Sequence, residues 1–267
     1  MHLPISAAVV DRLVRLETAG STNDELVALA AAGDVPEFTV VVTGDQTAGR
    51  GRLGRVWVAP PGASLAISVL LRPVLPAGEP LELKHFGWLP LIAGVAMTAA
   101  VQTVVPAHRV GLKWTNDVQI DGLKVSGLLA ELLPTGDAVV IGAGVNLSLD
   151  REQLPTPVST SLSLSGARMS GDELADAVLS SYLENLRELY TDFVRLGADP
   201  VGSGIAGRIA ELCTTIGAQV KVELPGADDL VGTAVGIDGS GRLQVRRSFD
   251  GQVVAVAAGD VTHLRYE

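Results

Sequence analysis

The sequence is poor in cysteine, histidine and aromatic residues. Its single cysteine, Cys213, excludes an intramolecular disulfide and the usual thiolate cages for metals. The four histidines are scattered and lack metal-ligand spacing, so we expect no protein-built metal site. Aromatic residues make up only 4% of the chain, so Val, Leu, Ile and Ala have to build the core, and a hydrophobic content of 47% is sufficient for it.

Positive charge is also scarce, since 30 acidic residues face 20 Lys and Arg and give a net charge of −10. This balance disfavours a general nucleic-acid surface. The N-terminus lacks a basic region followed by an apolar core, so no secretory signal is expected. The uncharged run 86–107 is bracketed by Pro90 and Pro106, and the roughly 22 Å of helix between them is shorter than a bilayer core of about 30 Å. It predicts a buried helix in a soluble, cytoplasmic protein.

The pattern of apolar residues predicts an α+β fold with a mixed sheet. Helices and strands do not alternate regularly, which disfavours a doubly wound parallel sheet. Helix starts are indicated by capping boxes at Thr22–Glu25 and Ser170–Glu173, and Asp121-Gly122 predicts a hairpin turn. The expected strands of this part are 14–18, 38–43, 64–71 and 138–145.

Beyond residue 211 the pattern changes to short strands separated by Gly, Asp and Pro turns. It predicts a small all-β barrel of roughly 55 residues. We therefore expect a catalytic unit over 1–210 and a barrel over 211–267, with strands at 220–223, 232–237, 243–246, 253–257 and 261–264.

Residues 46–57 (QTAGRGRLGRVW) form a basic, glycine-rich island on this acidic chain. Glycines let backbone N–H groups approach a phosphate, and arginines supply forked, permanently charged donors. The run also fits G-x-G-x-x-G, but Pro60-Pro61-Gly62 follows where a dinucleotide motif would open a helix. Taken alone, the island fits an anion site and a solvated surface loop about equally well.

A second polar group is placed around the predicted hairpin. Lys113 and Lys124, two of only four lysines, flank a segment that carries Asn116 and Asp117. A hairpin with solvated lysines is the simple alternative. Together with the basic island, however, the group offers donors for phosphate, a carboxylate for a metal or an amine, and in Trp57 a ring for a base.

The ordered motifs of this chain resemble those of biotin protein ligase. They are STN at 21–23, GRGRLGRVW at 49–57, KWTND at 113–117, KVSGLL at 124–129 and GAGVN at 142–146. The resemblance covers essentially the whole chain; Thr115 departs from it, since many members have proline there. It implies a catalytic domain similar to class II aminoacyl-tRNA synthetases, followed by an SH3-like barrel.

The resemblance implies ATP-dependent attachment of biotin to a lysine of a biotin carboxyl-carrier domain, through biotinyl-5′-AMP. ATP and biotin would be substrates, used with Mg²⁺, and the carriers would belong to acyl-CoA or pyruvate carboxylases. Since Ser21 lies only twenty residues into the chain, we expect the monofunctional type without a DNA-binding domain. We also expect no nucleic-acid or membrane partner, and a monomer or weak homodimer. The alternatives are a lipoate ligase or acyltransferase of the same superfamily and a non-catalytic sensor of biotin or nucleotide.

The matched motifs also imply residue roles. Arg50 and Lys124 would contact the carboxylate–phosphate junction, and Asp117 would orient or deprotonate the incoming lysine. Biotin would be bound by Ser21, Thr22, Asn23, Gln46, Gly49, Arg50, Gly51, Arg52, Lys124 and Gly127. ATP would be bound by Arg52, Arg55, Trp57, Asn116, Gly144 and Asn146. The loop 44–60 is expected to be mobile without ligand and to fold over it as a lid.

Overall fold

A computed structural model describes residues 1–33, 35–224, 228–257 and 259–264. The chain up to residue 212 folds into five α-helices and nine strands within the described part. In order they are α1 (Pro4–Val9), β1 (Arg12–Leu16), α2 (Thr22–Ala32), β2 (Thr39–Thr43), β3 (Gly49–Arg50), β4 (Val56–Trp57), β5 (Ser64–Leu71), α3 (Trp88–Val104), β6 (Val110–Lys113), β7 (Asp117–Ile120), β8 (Leu123–Leu132), β9 (Val139–Asn146), α4 (Gly171–Arg195) and α5 (Ile205–Leu212).

Seven of these strands form one mixed sheet in the order β1-β2-β5-β9-β8-β7-β6. The pair β1–β2 is parallel and the other neighbours are antiparallel. The expected α+β class is therefore confirmed. The hairpin at Asp121-Gly122 is also confirmed, since both residues have positive φ, of 49° and 83°, as a two-residue turn of this kind requires.

The two faces of the sheet have different roles because side chains alternate along a strand. On β5, Ile67 and Val69 face the main core, where α3 and α4 pack. Leu70 faces the opposite side and packs with Leu26 of α2 and Val140 of β9. All eight residues of β5 are buried, as a strand covered on both faces requires.

Helix α3 crosses the main core, as its uncharged sequence predicted. By length and composition alone Leu83–Val104 could span a membrane, but 72% of its apolar 18-residue stretch is buried inside the protein. The sequence suggested a helix that begins after Pro90, but the helix begins at Trp88. Pro90 lies in the first turn, where its missing N–H has no intrahelical partner to lose.

Five C-terminal strands follow: β10 (Gln219–Glu223), β11 (Leu230–Ile237), β12 (Leu243–Arg247), β13 (Val253–Val256) and β14 (Asp260–His263). They form a separate antiparallel sheet in the order β13-β12-β11-β10-β14. The last strand returns beside the first, in agreement with the predicted small β-module. Residues 225–227, 258 and 265–267 of the predicted barrel range lie outside the described residues.

Two indole groups fasten the turn between β11 and β12 to the larger unit. Trp88 Nε1 donates to the Gly239 carbonyl at 3.0 Å, and Trp114 Nε1 donates to the Gly241 carbonyl at 3.3 Å. Gly241 has a φ of 80°, and a Cβ there would lie 2.8 Å from the backbone of Gly87. The smaller sheet is therefore docked directly beside the KWTND segment.

Neither predicted capping box forms. Ser21, not Thr22, precedes α2, and among the described residues no side-chain cap bond is made by Ser21 or by Ser170 at the start of α4. The Thr22 hydroxyl lies 3.2 Å from Gln46 Oε1 instead. A partner distant in sequence has replaced the local one.

Candidate active site

A cavity of about 370 Å³ opens on the α2 face of the large sheet. Its floor is formed by β5, β8 and β9, where the small residues Ala66, Gly127 and Gly144 leave space above the sheet. The start of α2 closes one end, and the basic loop 46–57 forms a side wall. Val261 and Thr262 of β14 line it too, so the smaller sheet contributes to the same cavity.

The cavity concentrates positive charge on an acidic protein. Among the described residues that line it, Asp117 is the sole carboxylate. Cationic side chains at close range attract anionic ligands, and walls of low polarity strengthen this attraction. The site is therefore suited to hold more than one anionic group, through the cations Arg50, Arg52, Arg55, Lys113 and Lys124.

The basic loop is a small hairpin and not an open coil. Gly49 and Arg50 pair with Trp57 and Val56, and the Gly51 N–H donates to the Arg55 carbonyl at 2.7 Å. A Cβ on Gly49 would clash with the Trp57 carbonyl and with Gln46. Glycine is therefore required for the loop to close on itself.

Two arginines of this loop point to different partners. Arg50 donates to Asp24 at 2.6 Å and to Glu131 at 3.0 Å. These contacts, that with Asp24 first, raise the pKa of Arg50 above its ordinary value. Arg52 instead donates to Asn116 Oδ1 at 3.0 Å, inside the cavity. Arg50 thus links the loop to α2 and β8, while Arg52 contacts Asn116, which also lines the cavity.

Lys124 and Asp117 meet across neighbouring strands. The Lys124 Nζ atom lies 2.7 Å from Asp117 Oδ1 and 5.8 Å from the centre of the Trp57 ring. A Cβ on Gly127 would lie 3.0 Å from Lys124 Nζ and 3.3 Å from Trp57 Cζ3. The space above Gly127 is therefore occupied by these two side chains.

Polar groups gather at the end of the cavity formed by α2. Gln46 Oε1 accepts from the Thr22 N–H at 2.9 Å, and the Ser68 hydroxyl lies 2.8 Å from Thr22 Oγ1 and 2.6 Å from Asn23 Oδ1. A Cβ on Gly142 would lie 3.0 Å from Asn23 Nδ2. This end offers fixed hydrogen-bonding groups to a neutral polar ligand.

The structure brings the residues singled out from the sequence into one place. All of them line the cavity except Gly49, which pairs with Trp57 within the loop and lines a neighbouring pocket. Sequence reasoning missed Ser68 and Glu131, which contact site residues, and Gln119, Gly142 and Thr262, which line the cavity. Strand alternation places Ser68 on the same face as Ala66, but no sequence pattern indicated that Ala66 lines the cavity.

Comparison with known proteins decides the family. The Biotin/lipoate A/B protein ligase family matches residues 19–146, and the Biotin protein ligase C terminal domain matches residues 215–264. The biotin–[acetyl-CoA-carboxylase] ligase of Mycobacterium tuberculosis is 38% identical over 249 residues, which are 92% of this chain and 86% of that protein. The chain belongs to the biotin protein ligase family.

Other family members agree in length and in fold. The biotin–[acetyl-CoA-carboxylase] ligase of Paracoccus denitrificans is 31% identical over 89% of this chain and 95% of that protein. The solved biotin protein ligase from Aquifex aeolicus, in complex with biotin and ATP, superposes with a TM-score of 0.70 at 27% identity. That alignment covers 96% of this chain and 100% of the other, so both sheets of the fold are shared.

Proposed function

We propose that this protein attaches biotin to a lysine of a biotin carrier domain and uses ATP to do so. The observation that carries the proposal is one cavity in which a fixed polar end adjoins five cationic side chains. Joining a carboxylate to a phosphate requires two anions to come together, which positive charge makes possible. The family and the activity of the named relatives support the same reaction.

Biotin fits the end of the cavity beside α2. There Ser21, Thr22, Asn23 and Gln46 present hydrogen-bonding groups, and Ala66 leaves room above β5. ATP fits the other part, beside Asn116, Gly144, Asn146, Arg55 and Trp57. The carboxylate of biotin and the α-phosphate of ATP would then meet near Lys124.

In the first step a carboxylate oxygen of biotin attacks the α-phosphorus. An O–P bond forms, the bond to the β-phosphate oxygen breaks, and pyrophosphate leaves with its electron pair. Lys124 and Arg52 are placed to offset the negative charge on the phosphate oxygens. Arg50 was expected at this junction; it lines the cavity as Arg52 does, so its role there stays a prediction.

In the second step the carrier lysine attacks the carbonyl carbon of biotinyl-5′-AMP. A C–N bond forms, the C–O bond breaks so that AMP leaves with its electron pair, and the amine gives its proton to Asp117 or to water. Asp117 is the carboxylate within reach, and its contact with Lys124 suits it to orient the incoming amine. The basic loop covers the reactive anhydride and excludes water.

Magnesium enters this account as part of the substrate. Within the described residues no cluster of three or more His, Cys, Asp or Glu could hold a metal. Mg²⁺ is often bound through one carboxylate together with substrate phosphates. We therefore propose that ATP binds as its magnesium complex, with Asp117 and Asn116 as the nearby oxygen donors.

The proposal extends to partners and organisation. The acceptors would be carrier domains of acyl-CoA or pyruvate carboxylases, modified in the cytoplasm, with no role for nucleic acid or a membrane. We propose the units 1–210 and 211–267, with the second helping to enclose the cavity through Val261 and Thr262. The working form would be a monomer or a weak homodimer.

The first test is pyrophosphate release from ATP with magnesium in the presence of biotin or of lipoate. Since the family model covers both kinds of ligase, this comparison decides the substrate. We expect release with biotin and binding of biotin by calorimetry. Release with lipoate alone would assign the chain to the lipoate branch, and biotin binding without release would assign it to sensing.

A further inference from the structure

Glu131 lies near the end of β8 and contacts two parts of the site at once. Its carboxylate accepts from the Asn23 side-chain amide at 2.5 Å, Nδ2 to Oε2. The same carboxylate accepts from Arg50 Nη2, at 3.0 Å on Oε1 and 3.2 Å on Oε2. It therefore joins the α2 end of the cavity to the basic loop, although it does not line the cavity itself.

The contact with Asn23 fixes which way the amide points. Asn23 is buried, with 4% of its surface exposed. A carboxylate accepts but does not donate, so only the NH₂ group of Asn23 can face Glu131. The Ser68 hydroxyl, 2.6 Å from Oδ1, then supplies a donor on the opposite side. The Ser68 hydroxyl can give its single proton to Asn23 Oδ1 and accept one from the Thr22 hydroxyl at 2.8 Å.

The contact with Arg50 has a different character. The side chains of Arg50 and Glu131 are 45% and 31% exposed, and Asp24, the other partner of Arg50, is 57% exposed. Exposed ion pairs contribute little to stability. They nevertheless link the basic loop to α2 and β8, because Arg50 contacts a carboxylate on each of these elements.

We propose that Glu131 is a positioning residue that orients the Asn23 amide for biotin and ties the basic loop to the same carboxylate. Occupancy of the α2 end and closure of the loop are thereby coupled through one side chain. The inference rests on the proposed function for the identity of the ligand. Its contacts can also be tested without any ligand, so the two can fail separately.

Two substitutions separate the roles of Glu131. Glu131→Gln keeps an oxygen acceptor for Asn23 but loses the charge that holds Arg50. Glu131→Met removes both at similar size. By calorimetry without ATP, Glu131→Met weakens biotin binding by about tenfold or more, whereas Glu131→Gln stays within about threefold of the wild type.

Limited trypsin digestion reports on the loop in the free protein. Cleavage after Arg52 or Arg55 should become faster in both Glu131 variants, because both release Arg50. Asp24→Asn is the matched control, since it removes the other partner of Arg50 without touching Asn23. It should speed cleavage but leave the affinity for biotin unchanged.

A double substitution tests whether the effect passes through Asn23. Asn23→Ala combined with Glu131→Met should bind biotin no more weakly than Asn23→Ala alone, because the amide to be oriented is gone. A merely structural role of Glu131 would add its cost to that of Asn23→Ala and would lower the melting temperature of both Glu131 variants alike.

Several outcomes overturn the inference. They are unchanged biotin affinity in Glu131→Met, a loss in Glu131→Gln as large as in Glu131→Met, and additive losses in the double variant. Unchanged trypsin cleavage in all three carboxylate variants removes the tie to the loop. If the wild type binds no biotin, the proposed function fails, and the digestion result still decides whether Glu131 holds the loop.

Discussion

The indole ring of Trp57 lies directly against the backbone of Gly144. A Cβ built on Gly144 would come within 2.8 Å of Trp57 Nε1 and still closer to carbons of the ring. The Nε1 atom is buried and has no hydrogen-bond partner among the described residues. Gly144 therefore provides the flat surface on which the loop tryptophan rests beside the proposed nucleotide site.

Gly144→Ala is expected to push Trp57 off the sheet and weaken ATP binding. Rings and backbone give way poorly at such distances, so the loop has to move. We expect the KM for ATP to rise by about tenfold with a smaller change for biotin. The control is Gly207→Ala on α5, where an added Cβ meets open space. Equal kinetics of both variants would contradict this account of Gly144.

Lys124→Met should abolish the first step while the fold is kept. The side chain is partly exposed, so its loss creates no buried cavity. Loss of a preorganised charged donor typically lowers the rate by ~10²–10³. Pyrophosphate release measures this directly, with Lys84→Met at an exposed surface position as the control. A normal rate in Lys124→Met would remove Lys124 from the mechanism.

Substitutions of the two loop arginines should have different effects on pyrophosphate release. Arg52→Met is expected to lower kcat for pyrophosphate release by about 10² or more, because Arg52 extends into the cavity. Arg50→Met should lower substrate affinity, because it removes a cation that lines the cavity, whereas Asp24→Asn and Glu131→Gln keep that cation. It should also speed trypsin cleavage of the loop, because Arg50 pairs with Asp24 and Glu131. The opposite result, with kcat lowered in Arg50→Met alone, would assign the carboxylate–phosphate junction to Arg50 and not to Arg52.

Asp176 makes the free energy of unfolding depend on pH in the acid range. Its buried carboxylate accepts from the Ser6 N–H at 2.8 Å and from the Ile5 N–H at 2.9 Å, and so fastens α1 to α4. Burial opposes ionisation, but the hydrogen bonds of Ser6 and Ile5 outweigh it and lower the pKa of Asp176. Its contribution is therefore present above about pH 3.9, the ordinary value for Asp, and is lost as pH falls through the lowered pKa.

Asp176→Asn should accordingly lower the free energy of unfolding by about 1–3 kcal/mol at neutral pH, since an amide cannot accept from all these donors. The difference from the wild type should shrink in denaturant titrations at strongly acid pH. Asp172→Asn, which removes an exposed partner of the His2 N–H, is the control and should have little effect. A pH-independent loss in Asp176→Asn would rule out the charge as its cause.

Much of the fold could be predicted from local pattern. Strand 64–71 is found with those bounds, and the turn at Asp121-Gly122 follows from residues that tolerate positive φ. The capping box at Thr22 failed for a physical reason: the Thr22 hydroxyl reaches Gln46, which is close in space but 24 residues away in sequence. Local hydrogen-bond rules cannot weigh a partner that only the folded sheet supplies.

The candidate site divides in the same way. Motif residues such as Lys124 and Asn146 could be found, because each belongs to a segment with a recognisable order of residues. Glu131 could not, since a single glutamate near the end of a strand carries no local signal. Its role depends on strand pairing and on the position of α2, which bring it to Asn23. The docking of β14 beside the cavity likewise depends on the packing of the two sheets.

The most direct test of the central claim is intact-mass spectrometry of a biotin carrier domain incubated with this protein, ATP, magnesium and biotin. The account predicts a mass increase equal to biotin less one water, dependent on ATP and lost when the acceptor lysine of the carrier is replaced by arginine. An unmodified carrier after such an incubation, together with transfer of lipoate to a lipoyl domain under the same conditions, would contradict it.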